Sequence, residues 1–205
     1  KTTSFKYHKM NNNSSTNEAQ TLLFLGKHIP KRFSVREVSQ EADIPYATFY
    51  RIIKKYDDII SSEKVGTINH ITLDITKDTT IAHLTIASDS EKQRFLQDKP
   101  FIRRLEQDIT TKDVVLLFGS YAKGKETKHS DVDLRVVNET GEQNLSFSTQ
   151  ELVSGIPINP IFVTENEFKE MLQCNEENVG TQALKNHILL NNPLKHWELV
   201  FDALR

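Results

Sequence analysis

A short apolar run, followed at once by glycine and serine, constrains this 205-residue chain more than any other feature. Residues 114–118 read Val-Val-Leu-Leu-Phe, and a continuous apolar run of this length is typical of a strand covered on both faces. Gly119 and Ser120 come next. Glycine lets backbone N–H groups approach an anion, serine adds a hydroxyl donor, and a helix starting here would point its positive end at phosphate. The sequence therefore predicts a phosphate-binding turn at the end of a buried strand.

Two aspartates lie where a second strand is expected to begin. Asp131 and Asp133 are two residues apart, so on a strand both carboxylates project from the same face. Val132 and Leu134 then point the other way, into the core. Adjacent carboxylates repel each other, and a divalent cation between them, Mg²⁺ or Mn²⁺, relieves the repulsion. A metal-binding pair facing a phosphate-binding turn predicts phosphoryl or nucleotidyl transfer.

The spacing of these two motifs resembles that of a known family. A Gly-Ser pair, ten further residues and then Asp-Val-Asp is similar to the motif of the minimal nucleotidyltransferases (MNT) of the DNA polymerase β superfamily. The likeness covers roughly residues 100–205 and includes MNT domains that act as antitoxins beside HEPN toxins. It implies transfer of a nucleoside monophosphate, AMP foremost, from a nucleoside triphosphate to a hydroxyl acceptor.

The resemblance also implies which residues hold the substrate and the metal. Asp131 and Asp133 would be the catalytic metal ligands, and Gly119, Ser120 and Lys123 would hold the triphosphate. Lysines on a loop are as often solvated surface as substrate ligands, so both interpretations of Lys123 stay open.

One position departs from the family's pattern. Active members usually carry a third carboxylate on a later strand, and the best candidate strand here has Asn159 at that place. Asparagine can ligate a metal through its carbonyl oxygen but is a poor base. Either another residue fills the role, or catalysis is weak, or it has been lost. The alternative function is a transcription regulator whose degenerate domain senses nucleotide; a small-molecule adenylyltransferase is a third hypothesis.

The first half of the chain predicts a different domain. Residues 34–37 form a capping box that opens a short helix, and Pro45 is placed to begin a further one. Two β-prone runs follow, 59–65 and 68–75, joined by a Gly-Thr turn. This order resembles a winged helix-turn-helix, which implies that the helix beginning near Pro45 enters the major groove of double-stranded DNA.

The outer face of that helix carries side chains suited to groove edges and phosphates. They are Tyr46, Thr48, Tyr50, Arg51, Lys54 and Lys55. Residues 1–64 hold 11 Lys+Arg against 7 Asp+Glu, a modest basic excess, whereas the remainder is acidic. This modest positive charge is therefore only a weak indication of DNA binding. A winged helix that binds protein or forms a homodimer is the alternative.

The chain as a whole is predicted to be α/β in the mixed α+β sense, with a small mixed sheet flanked by helices in the nucleotidyltransferase part. The predicted segments are 1–16, disordered; 17–76, the winged helix-turn-helix; 77–99, a linker or connecting helix; and 100–205, the nucleotidyltransferase domain. Cys174 is the only cysteine, which favours a reducing, cytoplasmic location. No apolar run approaches the roughly 20 residues that cross a bilayer. We therefore expect no membrane partner, whereas the two resemblances imply double-stranded DNA, nucleotide and a HEPN-type toxin as partners.

Overall fold

The computed structural model describes residues 14–174 and 185–205, which fall in two compact units, Lys1–Ser90 and Glu91–Arg205. The predicted mixture of helices with small sheets is confirmed. Most of the segment predicted to be disordered lies outside the described residues, and the first helix begins at Ser14, earlier than expected. Within the described residues, no helix combines the length and the apolar character needed to cross a membrane.

The first unit consists of helices and a three-stranded antiparallel sheet of order β1-β3-β2. Its elements are α1 (Ser14–Lys27), β1 (Phe33–Ser34), α2 (Val35–Glu41), α3 (Tyr46–Lys55), β2 (Ile60–Val65), β3 (Ile68–Leu73) and the first part of α4 (Asp78–Gln97). The hairpin of β2 and β3 turns at Gly66, whose φ of +63° favours glycine. The two-residue strand β1 was not predicted, because a stretch this short shows no alternation.

Helix α3 is amphipathic, as predicted. It buries Phe49, Ile52 and Ile53. Pro45 precedes the helix instead of opening it, because its ψ of 133° is extended, so α3 begins at Tyr46. Tyr56 follows the helix and is only half-buried.

The second unit contains a four-stranded sheet of order β6-β5-β4-β7. After the remainder of α4 come α5 (Pro100–Gln107), β4 (Val114–Phe118), α6 (Gly119–Ala122), β5 (Val132–Asn138), α7 (Ser148–Ser154), β6 (Ile158–Thr164), α8 (Glu165–Gln173), β7 (Ile188–Asn191) and α9 (Pro193–Leu204). Strands β5 and β6 are parallel, whereas β4 is antiparallel to both β5 and β7. The predicted small mixed sheet with flanking helices is therefore confirmed.

In the part of the chain that the structure describes, capping boxes define the start of α2, where one was predicted, and the start of α8. The Ser34 hydroxyl accepts from the Glu37 N–H at 3.2 Å, while the Glu37 carboxylate accepts from the Ser34 N–H at 2.6 Å. Thr164 and Glu167 repeat this exchange at 3.1 and 2.8 Å. Each box gives hydrogen-bond acceptors to two backbone N–H groups that would otherwise have no partner at the start of a helix. It therefore fixes where α2 and α8 begin.

The two faces of the second sheet have different surroundings. On one face, fully buried Val132 and Leu134 join the main apolar core, which also takes Ile102 and Leu105 from α5. Helices α8 and α9 pack against each other; α8 also contacts β5 and β6, and α9 contacts β4. Since side chains alternate along a strand, residues 131, 133 and 135 project away from the main core.

Candidate active site

The candidate site is a row of side chains across three neighbouring strands. Asp133 on β5 pairs with Phe118 on β4 and with Asn159 on β6. Residues directly opposite each other share one face of a sheet, so these three side chains lie side by side. Asp131 stands one residue before β5, and its carboxylate accepts a hydrogen bond of 3.2 Å from the Asn159 amide. The structure thus brings the two predicted acids and Asn159 together.

Gly119 lies directly against the second acid. Its φ is +71°, and a Cβ atom at this position would stand 2.0 Å from Oδ2 of Asp133. Any other residue would therefore displace the carboxylate as well as strain the backbone. Ser120 is half-buried in the single turn α6, and its hydroxyl makes no hydrogen bond among the described residues. The predicted phosphate-binding turn and the predicted metal-binding pair are thus immediate neighbours.

The electrostatics of the pair favour a cation. Burial and the neighbouring charge of Asp131 raise the pKa of Asp133, while a hydrogen bond from Asn159 partly offsets the increase. Neither carboxylate has an ion-pair partner within the described part of the chain, nor do those residues contain a cluster of three or more His, Cys, Asp or Glu that could hold a metal. Two carboxylates and an amide oxygen fit Mg²⁺, which is commonly completed by substrate phosphates and water.

The loop between the turn and the acids is held at two points. Lys99, which precedes α5, forms an ion pair with Glu126. The Thr127 N–H donates to the Ser130 hydroxyl at 2.8 Å and closes a turn just before the first acid. Lys123 is the exposed residue that ends α6, and its ammonium has no partner in the described residues. The structure therefore leaves Lys123 apart from the two carboxylates.

Residues 99–190 match the family model of the nucleotidyltransferase domain. The match covers somewhat less than half of the chain and spans the turn, both acids and Asn159. It supports the resemblance seen in the sequence, and it indicates a transferase at the level of the family, whose general chemistry is transfer of a nucleoside monophosphate from a nucleoside triphosphate with a divalent metal. The chain matches no curated protein and no solved structure.

Arg135 belongs to the same face of this nucleotidyltransferase domain, and sequence reasoning missed it. It is 2% exposed in the middle of β5, and burial lowers the pKa of its guanidinium. The guanidinium carbon lies 5.3 Å from the centre of the Phe118 ring. The signal was present in the sequence, since Arg135 continues the alternation of Asp131 and Asp133 within an otherwise apolar strand.

Outside the nucleotidyltransferase domain, α3 presents most of the side chains predicted to bind DNA. Tyr46 and Tyr50 are 55% and 44% exposed, with stacked rings 6.4 Å apart. Arg51 donates to the Thr48 hydroxyl at 3.3 Å, and the Lys54 ammonium lies 5.1 Å from the centre of the Tyr50 ring. These contacts form a surface of aromatic and cationic groups on one helix.

Lys55 has a different partner. Its ammonium forms an ion pair of 2.7 Å with Glu18 on α1, and the same carboxylate accepts from the Tyr56 hydroxyl at 2.9 Å. The hydrogen bond to Glu18 raises the pKa of Lys55. The Lys55 ammonium is therefore paired with a carboxylate of the first unit, although the sequence analysis placed Lys55 among the residues predicted to bind DNA.

Proposed function

We propose that the nucleotidyltransferase domain transfers a nucleoside monophosphate, AMP foremost, from a nucleoside triphosphate to a hydroxyl acceptor. The observation that carries the proposal is the contact between the Gly119 backbone and the Asp133 carboxylate, with Asp131 beside it. A triphosphate bound at this turn would have its phosphates next to the acids. The acids would then hold a divalent cation against the phosphate oxygens.

Each residue contributes a separate part of the reaction. Backbone N–H groups at Gly119 and the Ser120 hydroxyl would orient the triphosphate. Asp131 and Asp133 would hold Mg²⁺, which would neutralise charge on the phosphates and favour in-line attack by the acceptor hydroxyl on the α-phosphorus. The new bond joins the acceptor oxygen to the α-phosphorus, the bond to the β-phosphate breaks, pyrophosphate leaves, and the hydroxyl proton passes to solvent. The Lys99–Glu126 ion pair restrains the loop that leads to Asp131. Asn159 stands where the third carboxylate of active members would act as a base, and its amide is a poor base.

The direct test is incubation with labelled ATP, GTP, CTP or UTP, Mg²⁺ and candidate acceptors. The antitoxin resemblance makes a hydroxyl of a HEPN-type toxin, such as a tyrosine, the first acceptor to try. We expect label to transfer covalently, and transfer to stop in the double variant Asp131→Asn/Asp133→Asn. Label transfer that survives this double change would place the chemistry elsewhere in the chain.

A second candidate function is a regulator that binds nucleotide without transferring it. Asn159 supports this hypothesis, because its amide donates to Asp131 at the place where a third carboxylate would accept a proton. Nucleotide binding with no label transfer to any acceptor would favour the regulator.

The variant Asn159→Asp separates these two functions. If the domain is a transferase limited by its missing base, we expect the transfer rate to rise by roughly tenfold to a hundredfold, the lower part of the range for general-base catalysis. The same change adds a third carboxylate beside two others, so the metal-free variant should be less stable than the wild type. Single-turnover transfer rates and thermal unfolding with and without Mg²⁺ measure both effects. A regulator would show no transfer in either protein.

We further propose that the first unit is a winged helix-turn-helix that binds double-stranded DNA through α3. Its order of three helices followed by a hairpin supports this, as do the exposed Tyr46, Tyr50, Arg51 and Lys54 on one helix. Tyrosine and arginine can reach base edges, while lysine suits phosphates. DNA binding beside a nucleotidyltransferase domain would suit control of the chain's own operon.

The variant Arg51→Ala tests this assignment in a mobility-shift assay on the chain's own upstream DNA. We expect affinity to fall by roughly tenfold to a hundredfold if Arg51 contacts a base edge. Arg36→Ala is the matched control, because it removes the same charge from an exposed position on α2. An equal loss in both variants would indicate unspecific attraction, and no loss in either would remove α3 as the DNA-binding helix.

A further inference from the structure

Arg135 is a buried cation with two guanidinium nitrogens that the described residues leave without a hydrogen bond. It is 2% exposed, and its Nε and Nη1 atoms have no hydrogen-bond partner in residues 14–174 and 185–205. None of the ion pairs among the described residues includes it. Burying an unpaired guanidinium is costly, and buried charges in proteins are ordinarily paired or bound to a ligand. The lack of a partner for these two atoms among the described residues therefore points to a ligand.

The surroundings of Arg135 indicate which kind of ligand. Its direct neighbours across the sheet, Leu116 and Ile161, are apolar and offer no acceptor. The face of the Phe118 ring attracts the guanidinium but accepts few of its N–H groups. Phe118 is also the residue just before Gly119. The cation thus lies beside the row of the two acids, on the face of the sheet where phosphates would bind.

That face can be reached from solvent next to Arg135. Ile161 lies on the same face, directly opposite Arg135 on the parallel strand β6, and is 44% exposed. Phe118, on the other side, is half-buried. A ligand in the row of Asn159, Asp133 and Phe118 would be two residues away along the strands. An arginine side chain is long enough to span two residues of a strand, roughly 7 Å.

We propose that Arg135 binds a phosphate oxygen of the nucleoside triphosphate and so acts as a third element of the site, after the turn and the acid pair. This inference rests on the proposed nucleotidyltransferase function. A triphosphate carries several negative charges, and Mg²⁺ held by two carboxylates cancels little of them. The planar fork of a guanidinium matches two phosphate oxygens at once, which an ammonium cannot do. The ligand would supply hydrogen bonds to Nε and Nη1 that the described residues do not supply.

The test compares Arg135→Met with the wild-type chain in binding of Mg²⁺-ATP and of Mg²⁺-pyrophosphate by calorimetry. Methionine fills similar apolar space without charge, so we expect thermal stability to be retained or increased. The dissociation constants for both ligands should rise by roughly tenfold to a hundredfold, the effect of losing a charged hydrogen bond. Arg104→Met is the control, because it removes an equal charge from an exposed position on α5; its binding should match that of the wild type.

Arg135→Lys provides a second variant that keeps the charge, and we expect binding between that of the wild type and the methionine variant. Unchanged dissociation constants in folded Arg135→Met would overturn the proposal and leave the arginine a structural role. An equal loss in Arg104→Met would overturn it too. If the wild type binds pyrophosphate through Arg135 but transfers no label, the anion site stands and the proposed transferase function fails. If the wild type binds neither ligand, both fail.

Discussion

Replacing Asp133 by asparagine should slow Mg²⁺-dependent transfer severely while making the metal-free protein more stable. The side chain keeps its shape but loses the charge that would hold the cation, and the loss in rate should be roughly a hundredfold to a thousandfold. The free energy of unfolding should increase, because burial and the charge of Asp131 disfavour the ionised form of Asp133 in the folded state. Label transfer and thermal unfolding, each with and without Mg²⁺, measure the two effects.

The titration of Asp133 also predicts how the free energy of unfolding changes with pH. The folded-state pKa of Asp133 is raised, so just above the ordinary carboxyl value the folded chain binds more protons than the unfolded chain. The contribution of this group to the free energy of unfolding is therefore full in acid and is lost as the pH rises through the raised pKa. Asp133→Asn should remove that decline. The advantage of the variant over the wild type should be largest at neutral pH and disappear in acid.

Asp98→Asn is the matched control for the acid substitution. Asp98 is exposed in the same unit, where the same loss of charge should change neither transfer nor stability. Added Mg²⁺ should raise the unfolding temperature of the wild type and of Asp98→Asn, but not that of Asp133→Asn. If Mg²⁺ stabilises all three proteins equally, its binding site does not include Asp133.

Replacing Gly119 by alanine should have an effect of similar size on transfer, although it changes no charge. The new Cβ atom would stand 2.0 Å from the Asp133 carboxylate oxygen, so the carboxylate must move away from the turn. We expect the dissociation constant for Mg²⁺-ATP to rise by at least about tenfold, since the two halves of the site no longer meet. Calorimetric titration with Mg²⁺-ATP and label transfer are the measurements.

Gly124 provides an unusually close control for this substitution. Its φ is +60°, near the +71° of Gly119, but a Cβ atom there would meet nothing within 4 Å. Both alanine variants should lose about 1–2 kcal/mol of stability from the left-handed backbone. Only Gly119→Ala should lose nucleotide binding. If Gly124→Ala loses it equally, backbone strain in the loop is the cause, and contact with Asp133 is not.

The core of the nucleotidyltransferase domain was predictable because its signals are local. The apolar run of β4 and the alternation around Val132 and Leu134 depend on short spacings that the chain itself displays. The capping box at Thr164 likewise depends on two residues three apart. The parallel pairing of β5 with β6 then placed Asn159 next to Asp133, as the resemblance implied.

Other elements depend on contacts that spacing does not reveal. Strand β7 has only four residues and is defined by pairing with β4. Helix α7 shows no burial pattern, because Leu152 and Val153 are 87% and 76% exposed. The ion pair of Lys55 with Glu18 joins residues far apart in the sequence. A single sequence contains no direct sign of any of these contacts.

The contact between Gly119 and Asp133 also has an evolutionary consequence. Because the carboxylate occupies the space of a Cβ atom, the two positions cannot vary independently. A descendant that keeps aspartate at 133 must keep glycine at 119, whereas one that has shortened the side chain at 133 removes the clash and leaves only the left-handed backbone to favour glycine there. Comparing these two positions across related chains would therefore separate lineages under selection for a working site from lineages that have drifted to a purely structural use of the domain.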